Sequence, residues 1–145
     1  MKSFYSHLDA MLLVPQPVQH LVIRAKAERA GGAVVFYGSE ETRTVLAQSV
    51  IRVKLRRTQG LDGVIFYQLA QFRYGDRLNA PLMQEILAMG LEVHFACEDI
   101  SLRSQADLDR WLDFLLVVDQ AQRRDRTPAW QNFVASEQWR DAVVQ

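Results

Sequence analysis

The chain has 145 residues, 49% of them apolar and 23% charged, which suits one globular domain or a domain with an appendage. Seventeen Lys and Arg balance seventeen Asp and Glu, so the formal net charge is zero. That excludes the broad basic field of a chain gripping DNA phosphates and the acidic, aromatic-poor profile of a disordered one. No apolar run approaches the roughly 18 residues of a membrane span. The opening Met1-Lys2-Ser3-Phe4-Tyr5 lacks a signal-peptide pattern, and the single cysteine, Cys97, leaves no intramolecular disulfide. The expectation is a soluble, cytoplasmic protein.

In chain order, Phe4-Tyr5 opens a short apolar segment, and Met11-Leu12-Leu13-Val14 follows the polar stretch from Ser6 to Asp9. After Pro15-Gln16-Pro17, apolar residues recur at Val18, Leu21, Val22 and Ala25, with Arg24, Lys26 and Glu28 on the other side. This spacing predicts a helix stopped at Gly31-Gly32. Ala33 to Tyr37 reads as a buried strand ended by Gly38-Ser39-Glu40-Glu41. From Thr42 to Thr58 two readings stand: Leu46, Val50 and Val53 fit a helix, whereas Ile51, Val53 and Leu55 alternate like a strand; length favours the helix. Asp62-Gly63 announces a strand at Val64 to Tyr67, and Gln68 to Asp76 reads as a polar loop.

Leu78, Leu82, Met83, Ile86 and Leu87 make a helix stopped at Gly90, and Leu91 to Cys97 reads as a fourth strand. Ser104 to Asp107 resembles a helix-opening capping pattern, with Asp in the usual place of Glu or Gln. Behind it the helix 105–122 carries Leu115 to Val118, four apolar residues in a row and more than one face can hold. Either both faces are buried within the monomer or one packs on a second subunit, so a homodimer through this helix is an expected partner interaction. Thr127-Pro128 can start a last short helix with Trp130, Phe133 and Trp139.

Strands alternating with helices predict an α/β fold, a three-layer sandwich around a short, mainly parallel four-stranded sheet with a C-terminal helical tail. The expected division is an α/β domain over 1–122 and a tail over 123–145 that is no independent domain.

Charge is unevenly spread. Residues 1–60 carry nine basic and four acidic side chains, residues 61–100 two and six, and the remainder six and seven. The densest basic stretch, Arg52 to Arg57, is either a phosphate-contacting stripe or a solvated face.

Ligands of open α/β sheets bind beyond the carboxyl ends of the strands. The candidates there are Ser6, His7 and Asp9; Ser39, Glu40 and Glu41; Tyr67, Gln68, Gln71, Arg73 and Tyr74; and Cys97, Glu98, Asp99 and Ser101. Glycine-rich dinucleotide and phosphate-loop motifs are absent, so no cofactor is expected. His7, His20 and His94 stand at no metal-ligand spacing, and no metal is expected either. His20 and His94 suit structural roles. Adjacent strand residues point to opposite faces, so His7 could activate Ser6 only if the chain turned there. A triad of Ser6, His94 and Glu98 can be assembled on paper, with His94 and Glu98 four apart on one strand face. Cys97 reads as a buried strand-end thiol.

Val18-Gln19-His20-Leu21-Val22-Ile23-Arg24 resembles the "VQNLVIR" opening of the sporadic carbohydrate cluster proteins, a bacterial family found among genes for surface polysaccharides. The resemblance continues through Leu61 to Leu69 and Glu85 to Glu98, covering roughly residues 3 to 110. The layout is also similar to the catalytic domain of serine recombinases, the resolvases. Leu61 to Leu69 and Gly90 to Ser101 look like two of their strands, and Leu108 to Val118 stands in place of their long dimerisation helix. The resemblance implies a resolvase-like, flavodoxin-like sheet. The catalytic pattern departs from it: Gln71 and Tyr74 stand where the "DRLSR" arginines belong, and Arg73 is one place off. A Y-x-R-x-S pattern read from Tyr5 meets His7 and Asp9, with Ser6 out of register. Phosphoryl transfer needs preorganised cations, so the resemblance carries the fold further than the chemistry.

The expected function is therefore a resolvase-like protein of cell-surface carbohydrate biosynthesis that binds an anionic sugar-type ligand in a strand-end crevice. Ser6, His7, Tyr67 and Glu98 are its candidate catalytic residues, and Gln19, Arg24, Glu40, Gln71 and Arg73 its candidate ligand contacts. Arg24 would meet the anion, unless Arg24 and Glu98 only form a salt bridge from helix to sheet. One alternative is a non-catalytic module docking a protein partner through the C-terminal helix and tail. The other is a degenerate recombinase keeping some DNA binding through Arg52 to Arg57; DNA and membrane are not expected partners.

Overall fold

The computed structural model describes the backbone of residues 1–40, 45–74 and 77–124. The elements run β1 (Lys2–Asp9), α1 (Gln16–Arg29), β2 (Gly32–Glu40), α2 (Val45–Arg57), β3 (Gly63–Phe66), a 3-10 turn (Leu69–Phe72), β4 (Arg73–Tyr74), β5 (Arg77–Leu78), α3 (Ala80–Ala88), β6 (Glu92–Phe95), β7 (Ile100–Leu102) and α4 (Gln105–Arg124). The chain forms two compact units, Met1–Trp111 and Leu112–Gln145, and the division falls inside α4. The expected short helix with Trp130, Phe133 and Trp139 lies outside the described residues. No helix among the described residues is long and apolar enough to cross a membrane.

The first unit is an α/β fold around a five-stranded sheet in the order β2-β1-β3-β6-β7. β2, β1, β3 and β6 are parallel, and β7 returns antiparallel to β6. The mainly parallel sheet agrees with the sequence pattern; its fifth strand does not, because Ile100–Leu102 is too short to show any alternation. The region 45–57 is a helix. Gln68 to Asp76, expected as a loop, contains the 3-10 turn, and Arg73–Tyr74 pairs antiparallel with Arg77–Leu78.

Right-handed crossovers fix the layers. The chain steps from β1 to β2 on one side, then across β1 to β3 on the other, so α1 covers one sheet face while α2 and α3 cover the opposite one. On the α1 face, Phe4, Leu8, Ile65 and Ala96 pack with Ile23 and Ala27. On the other, Phe66, Phe72 and Phe95 meet ring to ring at 4.5–6.1 Å. Arg52 Nε and the Arg56 guanidinium reach the Glu85 carboxylate at 2.8 and 3.0 Å, tying α2 to α3.

Helix ends follow local chemistry. Gly31 and Gly90 take the positive φ values of 84° and 81° that end α1 and α3. Asn79 accepts the Leu82 N–H at the start of α3. Ser104 accepts the Asp107 N–H, while Asp107 reaches back to the N–H of Arg103, one residue beyond the expected box.

The buried face of α1 corrects the periodicity. Gln19, Ile23, Lys26 and Ala27 face inward, whereas Val18, Leu21, Arg24 and Ala25 are exposed. Two polar side chains claim the inner face because each has partners there, described below.

Two strands also approach closely at β3–β6. A methyl group on Gly63 would lie 2.8 Å from the Glu92 backbone oxygen and from its Cβ. Gly63→Ala is expected to cost about 1–3 kcal/mol by overpacking, read as a lower urea midpoint in a protein with an unchanged far-ultraviolet spectrum.

Candidate functional site

β1 is central: it pairs β2 on one side and β3 on the other, and the helices change faces there. This reversal makes the crevice beyond the carboxyl ends of β1 and β3 the natural ligand position of a doubly wound sheet. β1 extends to Asp9, so Ser6, His7 and Asp9, expected after the strand, lie within it and are buried. Ser6 and His7 point to opposite faces, and they form no pair. Ser6 Oγ is buried with no hydrogen-bond partner among the described residues.

The loop after β1 is built by amides. The Asp9 N–H donates to Gln19 Oε1 at 3.1 Å, and Gln19 Nε2 donates to the Asp9 and Val14 carbonyls at 3.0 Å each. The Asp9 carboxylate accepts the Met11 N–H at 3.0 Å and Gln68 Nε2 at 3.3 Å. Gln71 donates to the His7 carbonyl and accepts the Gln68 N–H, both at 3.1 Å. Gln19 and Gln71 thus shape the crevice through its backbone.

One cluster at this end has capacity left over. His7 Nε2 lies 3.2 Å from Glu40 Oε1, both side chains 5% exposed, without hydrogen-bond alignment. The Tyr5 ring stacks beside His7 at 5.8 Å, and the Phe66 ring meets His7 edge-on at 5.5 Å. The Tyr5 hydroxyl occupies the space where any side chain on Gly38 would begin. Burial, reinforced by the Glu40 carboxylate, pushes the Tyr5 phenol up to about 12. Tyr5 OH, His7 Nδ1 and Glu40 Oε1 are buried with no hydrogen-bond partner among the described residues. The cluster therefore presents a protonated phenol, an imidazole and a carboxylate. Sequence reasoning found His7 and Glu40 but passed over Tyr5 and Gly38. Their signal was faint: an aromatic two residues before a histidine, opposite a glycine that looked like a strand terminator.

The other expected site residues are dispersed. β6 ends at Phe95, so Glu98 does not share a strand face with His94; its carboxylate accepts the Leu69 N–H at 2.8 and 3.1 Å and caps the 3-10 turn. Tyr67 hydrogen-bonds Cys97, and burial, that bond and the neighbouring carboxylate push its phenol up to about 12. Cys97 is exposed rather than buried, and its thiol is raised, chiefly by desolvation. Arg73 is buried two residues beyond Gln71. Arg24 lies on the outer side of α1, close enough to His20 to help burial lower its pKa, and no bridge links it to Glu98.

At the opposite, amino end of the sheet a second polar system is closed. Lys2 pairs with Glu92; His94 Nε2 lies 2.9 Å from Glu92 and Nδ1 lies 2.8 Å from Ser101 Oγ. Lys26 Nζ donates to Ser101 Oγ at 2.8 Å and to Asp99 at 2.9 Å. Because the Glu92 carboxylate only accepts, neutral His94 carries its proton on Nε2 and donates it there, so Nδ1 accepts from the Ser101 hydroxyl, which in turn accepts from Lys26. These contacts explain both the buried Lys26 and the absence of any Ser6–His94–Glu98 triad. Among the described residues no three His, Cys, Asp or Glu side chains converge on a metal-sized site.

The fold is a doubly wound α/β sheet with a buried cluster of titratable side chains, Tyr5, His7 and Glu40, where the helices change faces. A scan of models of known protein families finds no match, and neither does a search of curated proteins.

Burial lowers the His94 pKa, Lys26 and Arg103 lower it further, and Glu92 only partly opposes them. Below about pH 6.5 the unfolded chain binds a proton that folded His94 resists. Stability is therefore full above that range and declines as pH falls through it, with His20 adding in the same sense. Urea denaturation between about pH 7.5 and 5.5 should show this slope, flattened in His94→Gln. Glu92 acts in a lower window: burial alone would raise it, but hydrogen bonds from Lys2 and His94 hold it down, so its contribution is lost below about pH 4.5.

Proposed function

We propose that the protein binds a sugar-type ligand at the carboxyl ends of β1, β2 and β3, and that it serves cell-surface carbohydrate biosynthesis. The observation that carries this reading is the trio of buried polar atoms, Tyr5 OH, His7 Nδ1 and Glu40 Oε1, gathered without hydrogen-bond partners among the described residues. An unsatisfied buried polar group costs about 1–3 kcal/mol, and three in one place point to a ligand that satisfies them. Their chemistry suits sugar hydroxyls, which donate and accept at once: Glu40 accepts, the protonated Tyr5 donates, and the imidazole does either. Arg24 is exposed on the outer side of α1 and has no part in the reading. The resemblance of residues 3 to 110 to the sporadic carbohydrate cluster proteins supports the biosynthetic setting.

Calorimetric titration of the full chain with neutral sugars, uronic acids and sugar phosphates tests the proposal. Saturable binding by one class is expected, weakened about tenfold or more by His7→Ala and by Glu40→Gln in folded protein. No binding across the panel, or binding indifferent to both substitutions, sinks it. Tyr5→Phe separates function from stability. Removing an unpartnered buried hydroxyl should leave the thermal midpoint unchanged or raised, while ligand binding falls.

A further inference from the structure

The two edges of the sheet are guarded unequally. β7 has three residues, Ile100–Leu102, and is flanked by Asp99 and Arg103. Shortness and charge are the usual means of blunting an edge against another chain. β2 has nine residues, Gly32–Glu40, and among the described residues it hydrogen-bonds a neighbouring strand on one side only. From Gly32 to Ser39 it holds no charge and no proline. Its single charge, Glu40, is turned inward onto His7. Val35, Phe36 and Tyr37 are 47%, 47% and 49% exposed. Tyr37 stands on the α1 side, where its ring meets His20 at 5.0 Å, and Phe36 pairs with Tyr5 on the other side. The edge is thus open on both faces. One protective device is present, an irregularity that inserts Val35 opposite the Phe4–Tyr5 step; beyond it Phe36–Glu40 runs in regular register with Tyr5–Asp9.

We propose that β2 is the interface between two copies of this chain, which pair antiparallel along β2 and join their sheets about a twofold axis. The open backbone groups of an edge strand are matched by another strand, and the lack of charge means that two identical strands meet without repulsion. Head-to-tail pairing of β2 with β7 would build an open-ended array. The short, charge-flanked β7 blocks that, which leaves the closed, isologous pairing. Val35, Phe36 and Tyr37 then bury their exposed surfaces against their counterparts. The strand so fixed is also the one carrying Gly38 and Glu40.

Sedimentation velocity of the full chain over a dilution series tests this. A reversible dimer is expected, with its dissociation constant raised about tenfold or more in Phe36→Lys, where two charges are forced together. Circular dichroism checks the fold, and Val35→Lys replaces Phe36→Lys if the latter unfolds. Hydrogen exchange of the unmutated protein needs no variant: protection of residues 32–40 should rise with protein concentration. A monomer at every concentration overturns the proposal. So does a dimer indifferent to both lysine variants but lost in Val117→Lys, which would assign the interface to α4.

Discussion

The structure turns on the desolvation of β1. A strand paired on both sides and covered on both faces keeps its side chains from Phe4 to Asp9 out of water, yet this one carries Tyr5, Ser6, His7 and Asp9 within five residues. Each must find partners inside the protein or remain a local cost. Asp9 finds them in the Met11 N–H and the Gln68 amide, and in doing so sets the path of the loop into α1. Gln19 must then turn inward to hold the same loop, which rotates α1 so that Ile23 and Ala27 meet the sheet while Val18 and Leu21 stay outside. Gln71 docks on the His7 carbonyl and fixes the 3-10 turn after β3. The crevice is the outcome of solving one strand's polarity.

The same constraint explains what could be read in the sequence. Apolar strands, the glycines that stop helices and the Ser104 cap are local signals, and they were legible. Ser6-His7-Leu8-Asp9 has the composition of a loop, and only tertiary pairing with β2 and β3 makes it part of β1. The inner face of α1 was misplaced because periodicity assumes that polar residues face water; Gln19 and Lys26 break that rule through partners distant in sequence. Of the site, His7 and Glu40 were visible as strand-end residues. Tyr5 was not, since its role depends on Gly38, across the strand pair, leaving space for a hydroxyl.

The two polar systems at opposite ends of the sheet show why burial of titratable groups alone does not mark a site. The Lys26–Ser101–His94–Glu92 chain resembles a nucleophile assembly by composition, yet each of its side chains has a hydrogen-bond partner and the proton directions from Ser101 to Glu92 are fixed. It serves as a clamp between α1, β6 and β7. The Tyr5–His7–Glu40 group is equally buried but, among the described residues, keeps unused hydrogen-bonding capacity. Unused capacity, rather than the residue types, separates the two.

Zero net charge takes on a structural meaning in this light. The basic excess of residues 1–60 and the acidic excess of 61–100 meet across the fold: Lys2 with Glu92, Lys26 and Arg29 with Asp99, Arg52 and Arg56 with Glu85. Such pairs at partly exposed positions add little stability, but they decide where the cations are. The stretch that looked most like a phosphate stripe has two of its four basic side chains turned onto α3, and Lys26 lies beneath α1. Five of the nine basic side chains of residues 1–60 are thereby held against three carboxylates of residues 61–100, so the charge asymmetry along the sequence becomes a set of contacts between helices and strands.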